Sequence, residues 1–248
     1  MKRPIFAIPI IIFGLLLIYL LISFNLVYYR IGHSNIALLE VNSMYKFNEQ
    51  QTNTPLKLVT LGDSLTYGQG ANNFEESYPY LLAKDLAGEK QAVDLLPLAY
   101  PGDTTADLIK NYLEDAVTSK SDIATVLIGV NDLHNRISLP EFKANYQKII
   151  TALKTNPNTK IYLISLPFIG DQNLMLFPYQ NYFLEQTQKY NEVIKTLARE
   201  NQVEYIDITT NTVELFKKSG SHYSSDRFHP SAEGYKLFEQ LIYAGISK

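Results

Sequence analysis

From residue 56 onward, short β-branched or apolar runs alternate with longer segments of helical period, and this alternation constrains the fold more than any other feature of the chain. The strand candidates are 56–61, 92–98, 123–128, 160–165 and 203–208. Helix candidates fall at 78–86, 104–117, 140–154, 182–200, 210–218 and 232–243. Strands separated by helices pair in parallel through right-handed crossovers, and a continuous apolar run such as ATVLI at 124–128 suits a strand buried on both faces. The expectation is therefore an α/β fold, a three-layer α/β/α sandwich around a five-stranded parallel sheet. At about 190 residues it has a normal size for one domain. In such a sheet every strand-to-helix loop emerges at one carboxyl edge, where ligands bind.

Ahead of this domain, the 18 residues from Ile5 to Ile22 (IFAIPIIIFGLLLIYLLI) carry no charge, which is the length of a bilayer-spanning helix. No second run of that length follows. The residues after Ile22 are bulky where a signal peptidase needs small side chains, so a retained helix is favoured over a cleaved signal peptide. Pro9 and Gly14 do not oppose this, because membrane helices tolerate both. Lys2 and Arg3 before the run, against Arg30 alone after it, predict a cytoplasmic N-terminus and a domain on the extracytoplasmic side of the cell membrane. The expected organisation is a cytoplasmic N-terminus with one transmembrane helix at 1–29, a polar linker at 30–55 and the α/β domain at 56–248. An amphipathic helix at 36–47 is one option within the linker.

Composition then removes function classes. With no Cys there is no disulfide, thiolate nucleophile, Cys-ligated zinc or iron–sulfur cluster. A net charge of -3, from 22 basic and 25 acidic residues, leaves no footprint for nucleic acid. The four His are scattered without ligand spacing, and Gly68-x-Gly70 lacks the third glycine of a dinucleotide fingerprint, so neither metal nor cofactor is expected.

The residues that follow each strand carry chemistry. Ser64 comes just after the first strand, in a turn that Gly62 permits. A serine hydroxyl is a weak nucleophile until a base takes its proton, so the hypothesis needs an imidazole. His229 stands three residues after Asp226; in a tight turn the carboxylate would orient one ring nitrogen while the other faces Ser64. The backbone N–H groups of Ser64 and Gly102 and the side-chain amide of Asn131 would meet a developing oxyanion. Asp63, Leu65 and Tyr67, which flank the nucleophile, are expected to contact substrate. Asp132 is expected to help cap the helix after the third strand, His222 to sit in a loop near the cleft mouth, and His134 to reach the rim at most. The apolar stretch 167–182 after the fourth strand is a candidate lid, acyl-chain groove or bilayer contact.

GDSLTYG at 62–68, Gly102 in PGDTT, GVND at 129–132 and DRFHP at 226–230 resemble, in order and spacing, the four signature blocks of the SGNH hydrolases, also called GDSL esterases/lipases. The resemblance covers the chain from residue 56 to its end. It implies a flavodoxin-like strand order, Ser64 as nucleophile, His229 as base, Asp226 as its partner, and Ser64, Gly102 and Asn131 as oxyanion donors. Many relatives carry an Asn a few residues before the second-block glycine, where this chain reads LPLAYPG, a departure that bears on loop conformation rather than chemistry. The expected function is a membrane-tethered serine esterase/lipase acting on a lysophospholipid, another acyl lipid or an O-acetylated envelope glycan. Acyl transfer to a sugar or lipid acceptor, and an inactive binding or scaffold module, are the alternatives.

Overall fold

The computed structural model describes residues 7–32, 38–41, 43–51, 54–168 and 177–248. In chain order its elements are α1 (Ala7–Gly32), β1 (Tyr45–Phe47), β2 (Leu56–Gly62), α2 (Ser64–Tyr67), α3 (Tyr78–Ala87), β3 (Val93–Ala99), α4 (Thr105–Asn111), α5 (Leu113–Thr118), β4 (Ile123–Leu127), α6 (Val130–His134), α7 (Leu139–Leu153), β5 (Lys160–Ile164), α8 (Tyr179–Asn201), β6 (Glu204–Ile206), α9 (Thr209–Lys218) and α10 (Ala232–Ile246). The sheet order is β1-β3-β2-β4-β5-β6. All five strands expected from the sequence are present and parallel, in the flavodoxin-like order.

The sixth strand corrects the five-stranded expectation. Tyr45–Phe47, in the stretch expected to be linker, pairs antiparallel with Val93–Leu95 and closes the outer edge of β3. Residues 38–41 are extended and 45–47 are strand, so the amphipathic-helix option for 36–47 fails there. The new strand is short for a reason on its partner. Pro97 lies two residues beyond the last paired position of β3, and a residue without an N–H belongs where no neighbouring strand needs its bond.

Burial explains the layers. All five residues of β4 are buried, as the central strand of a sheet covered on both faces must be. On α7, Phe142, Tyr146, Ile149, Ile150 and Leu153 follow helical spacing and are buried together, each worth roughly 1.5–3 kcal/mol relative to exposure. Helices α3 and α10 pack together on one side of the sheet, and α4, α5, α7 and α8 on the other. The single helix expected at 104–117 is broken at Tyr112, whose φ of -133° separates α4 from α5.

Helix α1 has a different surface. Ile8–Val27 is long and apolar enough to cross a membrane, with a mean hydropathy of 2.7, and Ile8, Ile10, Ile11, Ile12 and Phe13 are all exposed.

Candidate active site

Strand order reverses on either side of β2, so the crevice at the carboxyl ends of β2 and β4 is where such a sheet receives a ligand. Ser64 leaves β2 at this crevice and Asn131 leaves β4. The chain can turn from β2 into α2 only at a glycine: a Cβ on Gly62 would lie 1.9 Å from Thr66 Oγ1 and 2.5 Å from the Leu127 carbonyl. Ser64 becomes the first residue of a short helix capped by Asp63, whose Oδ1 accepts from the Leu65 N–H at 3.0 Å.

The segment 224–229 brings the imidazole to it. Asp226 Oδ1 accepts from Ser224 Oγ at 2.7 Å and from the backbone N–H groups of Phe228 and His229 at 2.9 Å each. Arg227 takes a left-handed φ of 61° to close this turn. The second carboxylate oxygen, Oδ2, lies 2.6 Å from His229 Nδ1, and His229 Nε2 lies 3.0 Å from Ser64 Oγ. Burial pushes the Asp226 carboxyl upward, but bonds from His229, Ser224 and Phe228 outweigh it and hold the group below its ordinary pKa. The carboxyl is therefore charged at neutral pH.

The oxyanion candidates stand on the segments that follow β2, β3 and β4 at one edge of the sheet. Gly102 has a φ of 90° and open space where a Cβ would stand. Among the described residues, the N–H groups of Ser64 and Gly102 donate to no protein acceptor. Asn131 Nδ2 donates to the Asp103 carbonyl at 2.9 Å, which aims the amide and leaves its second hydrogen available. The arrangement can move a proton from the hydroxyl to the imidazole and place donors around a carbonyl oxygen bound beside it.

Two of the residues expected to contact substrate face inward instead. Asp63 is fully buried and Leu65 is 1% exposed, because a helix that starts at Ser64 turns its neighbours toward the sheet. Tyr67 is also largely buried, with its hydroxyl donating to the Leu39 carbonyl at 2.6 Å. Asp132 stands in the first turn of α6, and its carboxylate accepts from the Thr105 N–H at 2.9 Å and the Thr105 hydroxyl at 2.5 Å, serving the N-terminus of α4 and tying it to α6. His222 stacks on Phe216 at 5.3 Å. His134 packs between Phe183 and Phe228, and burial, with the charge of His229 adding to it, lowers its pKa to about 4. Half of the candidate lid, residues 169–176, lies outside the described residues.

Two contributors had little or no signal in the sequence. Ser224 holds Asp226, and only its place two residues before the carboxylate hinted at such a turn. Tyr235 on α10 donates to the Gln69 carbonyl at 2.6 Å and braces the turn that follows the helix of Ser64. Nothing in the sequence relates residues that far apart.

The buried Asp63 has a measurable consequence. Its Oδ2 has no partner, and burial raises its pKa from 3.8 to about 7, helped by nearby Asp132 and Asp103. Below pH 4 the group is protonated in folded and unfolded chains alike. As pH rises toward 7 the unfolded chain loses the proton first, so stability declines, by at most roughly 4 kcal/mol. Asp63→Asn keeps the cap to Leu65 without that decline. It is expected to match the wild type near pH 4 and to melt at a higher temperature at pH 8; equal melting temperatures at pH 8 would count against the buried charge.

A sheet parallel in all but its edge strand, with a hydroxyl, imidazole and carboxylate in line at its crevice, defines the class as an SGNH-type α/β hydrolase. A model of the GDSL-like lipase/acylhydrolase family matches residues 60–237, and the chain belongs to that family. It is 26% identical over 210 residues to an acetylxylan esterase of Geobacillus stearothermophilus, covering 75% of this chain and 91% of the relative. It is 28% identical over 219 residues to the spore germination lipase LipC of Bacillus licheniformis, covering 78% and 98%. Among solved structures, the acetylxylan esterase Axe2 of Geobacillus stearothermophilus superposes with a TM-score of 0.62 at 23% identity, over 77% of this chain and 94% of that one. A lipase/acylhydrolase of Enterococcus faecalis gives 0.63 at 24% identity over the same shares. Both structures share the fold, and the family makes this chain an ester-hydrolysing enzyme.

Proposed function

We propose that the chain is a membrane-tethered serine esterase that cleaves carboxylic esters through an acyl-enzyme on Ser64, with its domain on the extracytoplasmic face of the membrane. The observation that carries this reading is the line Ser64 Oγ, His229 Nε2, His229 Nδ1, Asp226 Oδ2, with contacts of 3.0 and 2.6 Å. His229 takes the hydroxyl proton as Oγ bonds to the ester carbonyl carbon. The oxyanion is met by the N–H groups of Ser64 and Gly102 and by the Asn131 amide. Collapse expels the alcohol, which leaves with the proton held on His229. Water then gives a proton to His229 and attacks the acyl carbon; the acid departs and the proton returns to Ser64.

Tethering is supported by the apolar α1, and the charges before and after it support the orientation. The related acetylxylan esterase and spore germination lipase bracket a range of ester substrates that runs from O-acetylated glycans to acyl lipids. A fluorophosphonate probe is expected to label the wild type at Ser64; an unlabelled chain would sink the acyl-enzyme and favour a scaffold. Asn131→Ala is expected to lower kcat for p-nitrophenyl acetate by roughly 10²- to 10³-fold with a small change in KM. A wild-type kcat in that variant would remove the amide from the oxyanion site. Protease shaving of intact cells should remove the domain if it lies outside.

A further inference from the structure

Burial along α1 is one-sided and confined to its second half. Ser23 and Val27 are 1% and 2% exposed and Leu20 and Phe24 are half-buried, whereas Leu21 and Ile22 are each 62% exposed. Positions 20, 23, 24 and 27 have the i, i+3, i+4, i+7 spacing of one helix face. That face lies against the segment leading into α8 and the residues after α6. Tyr19 Oη donates to the Phe177 carbonyl at 3.0 Å and Tyr179 Oη to the Leu20 carbonyl at 2.9 Å. The Phe24 and Tyr179 rings are 5.5 Å apart, and the Arg136 guanidinium sits 5.7 Å over the Phe24 ring.

Bilayer geometry then positions the domain. A helix crosses a core of about 30 Å in about 20 residues. The apolar stretch Ile8–Val27 has that length. Tyr19 is eight residues inside its end, roughly 12 Å below the edge of the core. The groups bonded to Tyr19 and Leu20 must lie in the same leaflet. They belong to an aromatic rim in which Phe177 is 72% and Tyr182 48% exposed, suited to a lipid interface.

This rim leads to the nucleophile. Successive ring pairs Tyr182–Phe183, Phe183–His134, His134–Phe228 and Phe228–His229 are 5.4, 5.3, 5.4 and 4.9 Å apart. Beside Asn131, a small hollow is lined by Val130, Leu133, Leu166, Pro167 and Phe183 together with the polar His134 and Thr187. An O-acetylated polysaccharide gains nothing from aromatic side chains held against lipid, whereas an acyl chain does.

Resting on the reading of this chain as a tethered serine esterase, we propose that α1 clamps the active-site rim into the membrane and that the substrate is a membrane-resident acyl lipid. Its acyl chain stays along the rim while its carbonyl reaches Ser64. The tether is thus part of substrate selection as well as an anchor.

The test uses the full chain in phosphatidylcholine vesicles. The protein has no Trp, so Phe177→Trp introduces a single indole. Its fluorescence is expected to be quenched by phosphatidylcholine brominated on the acyl chains; an unquenched indole overturns the placement. Phe24→Ala and Val27→Asp are expected to lower hydrolysis of vesicle-borne lysophosphatidylcholine by about tenfold or more while p-nitrophenyl acetate is cleaved at the wild-type rate. Unchanged lysolipid hydrolysis in both variants, or a wild-type preference for acetylated oligosaccharide, overturns the substrate assignment. An unquenched indole with Ser64-dependent acetate hydrolysis intact rejects the docking and leaves the esterase standing. A quenched indole in a chain that cleaves no ester supports the docking and rejects the esterase.

Discussion

Ser64→Ala is expected to lower kcat for p-nitrophenyl acetate by roughly 10⁴- to 10⁶-fold, the largest effect of any single substitution in this chain. Removing Oγ deletes the atom that would form the acyl-enzyme, and no other hydroxyl lies within reach of His229 Nε2 among its described partners. Ser64 is 7% exposed, and its side chain adds little to the core, so the melting temperature should move slightly. His229→Ala should fall to a similar floor, because nucleophile and base act as one unit. The double variant should be no worse than either single one. Stopped assays on purified chain, with circular dichroism to confirm folding, read both quantities; full activity in either variant would discard the mechanism.

Asp226→Asn should cost roughly 10³- to 10⁴-fold in kcat with the fold intact, for a reason particular to how the carboxylate is held. Its Oδ1 faces three donors, the Ser224 hydroxyl and the N–H groups of Phe228 and His229. In the amide, the oxygen must stay on that side, because an NH₂ there would face two backbone N–H groups that can only donate, with the Ser224 hydroxyl alone able to accept. The NH₂ is thereby forced toward His229 Nδ1, now 2.6 Å from Oδ2. Nδ1 must then accept, the ring proton moves to Nε2, and the nitrogen facing Ser64 becomes a donor that cannot take the hydroxyl proton. Asp226→Ala lacks this enforcement and should retain more activity than Asp226→Asn while losing more stability. The reverse order of activities would show that the carboxylate acts through charge alone.

Much of the fold could be read from the sequence because the central strands are continuous apolar runs, which no surface helix would carry. The residues of β4 announce burial on both faces before any contact is known. Strand β1 could not be read in the same way. Its three residues form a strand because β3 has an open edge, and that edge exists only after β2 and β3 have paired. Helices α2 and α6 have four and five residues, too few to show a period, yet they carry Ser64 and Asn131. The site could still be located because strand ends and a carboxylate three residues before a histidine are local features. Adjacency misled at Asp63 and Leu65, where one helical turn directs the neighbours of an outward side chain into the interior. Tyr235 escaped notice because its partner is 166 residues away.

The separation of Ser64 from His229, 165 residues along the chain, also sets the order in which the protein becomes complete. Synthesis delivers the hydroxyl early and the imidazole close to the C-terminus, after every strand of the sheet has emerged. A nascent or prematurely terminated chain thus carries a hydroxyl with no base beside it. Such a fragment has a hydroxyl that nothing activates, so activity waits for the turn 224–229 that brings His229 to Ser64.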